Sequence, residues 1–481
     1  MIKTFFSLYT PKLPIYFVYM LQQVEYEPKK FLSWIEEVFG KRRAIQTVMQ
    51  RKSLVLTSKA TTLLVFSYTL YIALFVAAFM LADPELSLWF YIVYFIGALF
   101  VSPYVLVLNL TGITALAWIL FVSPSQNRLI KQSKLKLDTH KGTKVAIIGS
   151  YGKTTMKELV GTILKEGKNV RATPGNMNTA YSQAKFIRQL EGSEEVLLFE
   201  FGEGKPGDVE AMTATIQPDY AVITGLAPNH LDKYTSLDML ADDLLAVYKK
   251  MPQTAVFANN DSFMLKKYLK KSMQTYSSTG VMGWNISNVL VSVTETTFTM
   301  TKGKKRLDIA TKLIGRHQVA AVGFGAALAD MLGLTKKQIE TGSKNIAPFE
   351  HRMQPRNVGG AWIIDDTYNG NLEGLQAGLK LLEELDFARK WYVTPGLVDQ
   401  GQEMERVHKE LGRAIASAQP DIVVLMENSV RPIIEKAMYD NDFRGELRVE
   451  THPLDFYLNI EHVIAAGDIV LMQNDWTDNY N

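Results

Sequence analysis

A chain of 481 residues exceeds one ordinary hydrophobic core and implies two to four folding units, and 21% charged residues with 32 glycines are globular rather than disordered levels. The formal net charge of +3 is too small to argue for nucleic acid as a partner. With no cysteine there is no disulfide framework, no thiolate zinc site and no cysteine nucleophile, which suits a reducing compartment.

Residues 1–59 read as a basic cytoplasmic segment carrying Lys29, Lys30, Lys41, Arg42, Arg43, Arg51, Lys52 and Lys59. From Ala60 to Ala82 the sequence carries no charge over 23 residues, long enough to cross a hydrocarbon layer of about 30 Å. A short acidic link, DPELS, leads to a second uncharged run from Leu88 to Val122, interrupted by Pro103 and Asn109. This second run predicts a spanning helix from about Leu88 to Val107 and then an interfacial or re-entrant piece. Basic residues flank both runs, Arg128, Lys131, Lys134 and Lys136 among them, and the link has none, so the positive-inside rule makes residues 60–122 a hairpin in the cell membrane with both ends cytoplasmic. A buried hairpin of a soluble domain is the bland alternative. A three-crossing layout is the stronger rival, and it would put everything downstream on the outer side.

A polar linker, 123–142, precedes a change of pattern. Val145 to Ile148, Val196 to Phe199, Tyr220 to Thr224 and Thr254 to Ala258 are β-rich runs separated by stretches long enough for crossover helices, a doubly wound α/β pattern. Val289 to Met300 and Leu307 to Leu313 suggest an antiparallel extension. A further α/β pattern follows, with strands near Ala361 to Ile364, Lys390 to Val393, Ile422 to Leu425 and Ile469 to Met472. The fold expected is α/β, in three parts: an N-terminal transmembrane helical hairpin, a P-loop-type doubly wound ATPase domain (143–351) and a C-terminal Rossmann-like α/β domain (352–481).

The stretch VAIIGSYGKTTMKELVG, Val145 to Gly161, orders strand, glycine loop and helix start. Gly149 and Gly152 let the backbone approach phosphate, the helix offers its positive N-terminus, Lys153 supplies a point charge, and Thr154 can give a hydroxyl to Mg²⁺, with Thr155 beside it. Those are the parts an ATP site needs. The spacing departs from G-x-x-x-x-G-K, because Ile147 stands where the first glycine would be.

The ordered motifs TPGNMN, FEFGEGKPGD, PDYAVITGLAPNHLD, ANND, GRHQV, EHRMQ, IIDDTYNGN and GQEMERVHKELG resemble the Mur ligases of cell-wall peptide synthesis, most closely the branch that adds a dipeptide, over roughly residues 143 to 472. The resemblance implies an ATP-dependent carboxylate–amine ligase that uses Mg²⁺ and joins an amino acid or dipeptide to a cell-wall peptide precursor. It implies that Lys153 meets the γ-phosphate, that Thr154, Glu200 and His230 serve the metal, and that Asn176 lies near the phosphates. It also implies that Arg352 reaches phosphate when domains close and that Asp366 and Asn371 reach the nucleotide from the third domain. Each residue has a blander reading: Glu200 as a solvated strand end, His230 as a loop histidine, DDTYNGN as a turn. Their shared order favours the functional one.

Three departures stand out. A lysine that is often carbamylated in the family aligns with Leu244, beside Asp242 and Asp243, and leucine cannot ligate metal, so Asp243 is the candidate substitute. The asparagine expected near adenine aligns with Ala321, and the family's C-terminal K-G-S-like strand end aligns with Gln473 to Asp475. The membrane hairpin stands where the family carries a UDP-binding domain. The expectation is therefore an acceptor presented at the membrane, on a lipid carrier in one form, with anchoring raising its local concentration. Synthesis of another γ-linked peptide such as poly-γ-glutamate, or a non-catalytic nucleotide-binding scaffold, are the alternatives.

Overall fold

The structure is a computed structural model that describes residues 9–41, 54–81, 88–175, 177–228, 233–368, 370–397, 400 and 403–474. The chain divides into two compact units, residues 1–128 and 129–481.

In the first unit, helices α1 (Leu13–Gln23), α2 (Pro28–Lys41), α3 (Ser58–Leu81) and α4 (Leu88–Ala117) share one apolar cluster, in which Leu13, Phe17, Leu21 and Phe31 pack with Leu63, Leu106 and Leu110. The segment expected to be merely basic thus contributes two helices. Two helical runs, Ser58–Met80 and Trp89–Asp138, are long and apolar enough to cross a membrane. Little of either is buried: Val65, Phe79, Trp89 and Leu108 are each more than 60% exposed. The interfacial or re-entrant piece expected after Val107 is not formed. The helix continues through Pro103 and Asn109 to Ala117, passes a π-helical turn at Trp118–Val122, and runs on as α5 (Ser123–Asp138), so the stretch read as a polar linker is helical as far as Asp138. In these helices Ser67, Asn109 and Thr114 turn back onto their own backbone: Ser67 Oγ donates to Leu63 O (2.7 Å), Asn109 Nδ2 to Val105 O (2.9 Å) and Thr114 Oγ1 to Leu110 O (2.6 Å), whereas the Thr111 hydroxyl is buried without a partner among the described residues. An apolar surround therefore meets no unsatisfied hydroxyl or amide at Ser67, Asn109 and Thr114.

The second unit contains two sheets. The first has ten strands: β1 (Thr143–Ile148), β2 (Val170–Ala172), β3 (Val196–Glu200), β4 (Tyr220–Ile223), β5 (Val256–Asn259), β6 (Gln274–Ser277), β7 (Gly280–Val281), β8 (Trp284–Val291), β9 (Thr296–Lys302) and β10 (Lys305–Thr311). Their spatial order is β10-β9-β8-β7-β6-β5-β4-β1-β3-β2. The strands from β2 to β6 are parallel and β7 to β10 add an antiparallel extension, as the sequence pattern suggests. Strands buried on both faces must be apolar at every position. In β1, Val145 and Ile147 join one core cluster while Ala146 and Ile148 join the other, and β3 alternates likewise through Val196, Leu198 and Leu197, Phe199. Because β1 lies between β3 and β4, successive crossovers leave it in opposite directions, and a crevice opens at its carboxyl end.

The second sheet has the order β11-β12-β16-β13-β14-β15, built from β11 (Gln354–Val358), β12 (Ala361–Asp366), β13 (Arg389–Thr394), β14 (Ile422–Met426), β15 (Glu446–Glu450) and β16 (Asp468–Gln473). Only β11 is antiparallel, which makes this a mixed sheet. At its carboxyl edge Asp366 and Gln473 are register partners on neighbouring parallel strands. Gln473 Nε2 donates to Asp366 Oδ2 (2.8 Å) and the Met353 amide donates to Oδ1 (3.1 Å).

Desolvation pushes the Asp366 carboxyl up to about 7 despite these two donors. The folded chain therefore keeps this proton between about pH 4 and 7, where the unfolded chain has released it, so stability falls as pH rises through that window. Asp366→Asn abolishes the titration. Its melting temperature should gain on the wild type by about 2 °C between pH 5 and pH 8, a gain that differential scanning of both full-length chains would detect. Parallel pH profiles would contradict the assignment.

Candidate functional site

The crevice at the end of β1 is shaped by two glycines. Gly149 has φ +145°, and a Cβ there would lie 2.2 Å from the Thr224 hydroxyl, so no other residue fits. Gly152, at φ +74°, caps helix α6 (Lys153–Leu164) in the left-handed conformation. Between them the Ser150 amide bonds Gly225 O (3.0 Å), and the Thr224 hydroxyl, which donates to Ile148 O (3.1 Å), also contacts Tyr151 O. The loop is thus pinned to the strand end beside it, with the first amides of α6 directed at the crevice.

Lys153 and Thr154 open α6 on opposite jobs. The Lys153 ammonium bonds Gly149 O and both oxygens of Glu203 (3.0 and 2.7 Å), an ion pair nearly closed to solvent, with side chains 11% and 4% exposed. Thr154 Oγ1 donates to Glu200 Oε1 (3.2 Å). Glu200 is no solvated strand end: it is buried, its other oxygen lies 3.1 Å from the fully buried Lys157 ammonium, and Lys157 also donates to Gly175 O (2.8 Å). The Glu200 amide bonds the Thr173 hydroxyl, which fixes the TPG segment against β3.

Arg352 reaches the same helix from the segment preceding β11. Its Nη1 donates to the Thr155 hydroxyl (3.1 Å), and its guanidinium stacks over the Tyr368 ring. Asp366 and Asn371 do not touch the loop. Asp366 is held by Gln473 and Met353 as described, and Asn371 caps helix α7 (Leu372–Glu384) by accepting from the Gly374 amide (3.0 Å). The neighbouring Glu373 does reach: its carboxylate accepts from the Tyr151 hydroxyl, the Met264 amide (2.9 Å) and Ser262 Oγ (3.4 Å). Burial and the Glu373 charge push the Tyr151 phenol well above its ordinary range, so it stays a donor. Asn176 and His230 lie outside the described residues.

The three departures acquire structural reasons. Leu244 is fully buried in the core beneath the helix Leu237–Leu244. Asp243 spends one oxygen on the Gly207 amide (2.9 Å) and the other on the Tyr234 hydroxyl (2.7 Å). Ala321 packs against the core from the helix Val319–Met331. Gln473 and Asn474 build the sheet edge rather than present a free polar end, since Asn474 Oδ1 accepts from the Gly370 amide (2.7 Å). Asp475 lies outside the described residues.

Glu203, Lys157, Thr224 and Glu373 escape sequence reasoning. Lys157 alone carries a mark, because it shares the inward face of α6 with Met156 and Val160, where a charge must find a partner. Among the described residues no group of three or more His, Asp or Glu side chains gathers as a ready metal cage. The hydroxyl of Thr154 and the carboxylate of Glu200 are nevertheless hard oxygen donors side by side, the kind of partial set that suits a Mg²⁺ shared with phosphates.

Residues 147–329 match the family model described as the Mur ligase middle domain. The chain is similar to UDP-N-acetylmuramoyl-tripeptide--D-alanyl-D-alanine ligase of Escherichia coli (strain K12), 26% identical over 58% of this chain and 63% of that protein. It is also similar to the enzyme of the same name from Borreliella burgdorferi, 25% identical over 62% of this chain and 66% of that protein. The chain thus spans less than two thirds of the length of either relative. Among solved structures, MurF ligase from Thermotoga maritima in complex with ADP aligns with a TM-score of 0.62 at 23% identity, over 73% of this chain and 80% of that one. MurF from Acinetobacter baumannii aligns with a TM-score of 0.62 at 19% identity, over 73% and 77%, and these two likenesses speak to the fold. Residues 147–329 thus match the Mur ligase middle domain, and the chain as a whole is distantly similar to Mur ligases.

Proposed function

We propose that this protein is an ATP-dependent carboxylate–amine ligase, anchored in a membrane by its N-terminal helices, that extends a cell-wall peptide precursor by an amino acid or dipeptide. The observation that carries the reading is the glycine loop at the end of β1, with Lys153 and Thr154 opening α6 beside the buried Glu200. In the proposed reaction a carboxylate oxygen of the acceptor attacks the γ-phosphorus of ATP and ADP departs. The amine then attacks the acyl carbon, phosphate leaves, and the amine loses its proton.

Negative charge develops on phosphoryl oxygens in both steps, so fixed donors around them lower the barrier most. The amides that open α6 and the Lys153 ammonium supply those donors, and Arg352, already against Thr155, is the cation positioned to add to them. Thr154 and Glu200 would hold Mg²⁺, which supplies charge neutralisation on the phosphates. His230 and Asn176 are assigned to this site by the family resemblance.

The membrane part of the proposal rests on the two long apolar runs, on their exposed aromatic and aliphatic side chains, and on Ser67, Asn109 and Thr114, whose polar groups bond within their own helices. An acceptor presented on a lipid carrier suits that placement, because anchoring then supplies the local concentration.

Purified protein with ATP and Mg²⁺ should release phosphate only when both a peptide-carboxylate acceptor and an amine are present, as read by a coupled phosphate assay and the mass of the product. A γ-glutamyl polymer as product would favour the other ligase reading, and phosphate release indifferent to both substrates would refute either. Full-length protein should remain with membranes after alkaline carbonate extraction, whereas a chain lacking residues 1–122 should lose activity toward a lipid-linked acceptor. Equal activity of the two chains would remove the anchoring argument.

Lys153→Ala should lower turnover by about 10²–10³-fold or more. A lysine in a surface loop ordinarily contributes little to the fold. The burial of Lys153 against Glu203 changes that expectation, because the alanine leaves a carboxylate buried and unpaired, at a cost on the order of 3 kcal/mol. Lys153→Met with Glu203→Gln should recover the melting temperature and leave activity absent. Recovered turnover in the double variant would exclude Lys153 from catalysis.

A further inference from the structure

Glu203 has no part in the reaction proposed above. It lies three residues beyond the end of β3, in the loop before the helix Asp208–Ile216. Its carboxylate is 4% exposed, and among the described residues Lys153 is its one ionic partner, engaged by both oxygens. The arrangement satisfies every charge as it stands. It also sets a problem, because the ammonium that neutralises Glu203 is the one a triphosphate would recruit.

When phosphates take Lys153, a buried carboxylate is left facing more negative charge. Burying it unpaired is costly, and a second anion nearby adds to the cost. A divalent cation with a demand for hard oxygen ligands removes both penalties at once. The acidic neighbours add to the problem: Asp243 acts on Glu203 as a like charge and is already satisfied by Gly207 and Tyr234, while the nearby Lys205 acts on Asp208.

Building on the nucleotide-site reading, we propose that Glu203 makes nucleotide binding at this loop depend on metal. As the structure shows, it holds Lys153. Once phosphates draw the lysine away, it becomes an additional oxygen ligand for the divalent cation that arrives with the nucleotide, beside Thr154 and Glu200. Two consequences distinguish this from a plain packing role. The Lys153–Glu203 pair lowers affinity for metal-free nucleotide, because only the fraction of molecules with the pair open can bind. Metal and nucleotide must also strengthen each other's binding by the same factor, and Glu203 carries part of that factor.

The test is calorimetric titration of full-length protein in detergent with ADP, in excess Mg²⁺ and in EDTA, paired with Mn²⁺ binding followed by electron paramagnetic resonance with and without ADP. The wild type should bind ADP at least ~100-fold more tightly with Mg²⁺ than in EDTA, the upper part of ordinary two-site coupling. In Glu203→Gln the EDTA affinity should rise by about 10-fold, because the lysine is free. The Mg²⁺ enhancement should fall to about 10-fold or less, and ADP should tighten Mn²⁺ by the same reduced factor. Glu203→Ala also removes the carboxylate and should lose the enhancement likewise, so a poorly folded glutamine variant does not end the test. If both substitutions leave the ratio of the two ADP affinities at the wild-type value, Glu203 has no such role and the inference falls alone. If no chain binds ADP under either condition, the nucleotide-site reading falls and this inference with it.

Discussion

A lysine ammonium with no exposed surface is the constraint around which this site is organised. Lys157 points from the inward face of α6 into a region where an unpaired charge would be intolerable, and Glu200 and the Gly175 carbonyl are what make it tolerable. Three segments are fixed by that requirement: the start of α6, the end of β3, and the TPG turn. Glu200 cannot then turn toward solvent, which leaves its remaining oxygen for Thr154. The loop in front is held with equal strictness by sterics, since Thr224 closes on Gly149 from the adjacent strand.

The sheets were legible because their strands are buried on both sides. Continuous apolar runs such as VAII and VLLF have few other folded destinations, and the spacing between them dictates crossovers. The strands that escaped were those without that mark. β2 is three residues long, β11 reads QPRNV and β15 reads ELRVE, both largely polar sequences whose place is set by pairing with a neighbour. In the first unit, α1 is apolar but only 11 residues long, and α2 alternates charge with apolar residues, so neither rises above a flanking segment until their shared cluster with α3 and α4 is seen.

For the site, sequence order singles out the loop with Lys153, Thr154 and Glu200, because backbone geometry and charge are demanded at fixed spacing, and the structure brings these residues together at the end of β1. Partners across the fold were not visible. Glu203 and Glu373 are ordinary acids in a loop and a first helical turn, and only tertiary placement gives them Lys153 and Tyr151. Pro103 misled in the opposite direction. A proline and an asparagine in an apolar run suggested a break, yet the helix absorbs both, as the internal hydrogen bonds of Ser102 and Asn109 illustrate.

The contact between Glu373 and Tyr151 joins the tip of the glycine loop to the first turn of a helix that belongs to the other sheet. Tyr151 sits between the two glycines whose backbone would cradle phosphate, so the cradle and the C-terminal layer share a tether one phenol long. A rotation of that layer would have to stretch, break or carry this bond with it, so the cradle's tip and the C-terminal layer are mechanically linked through a single side chain.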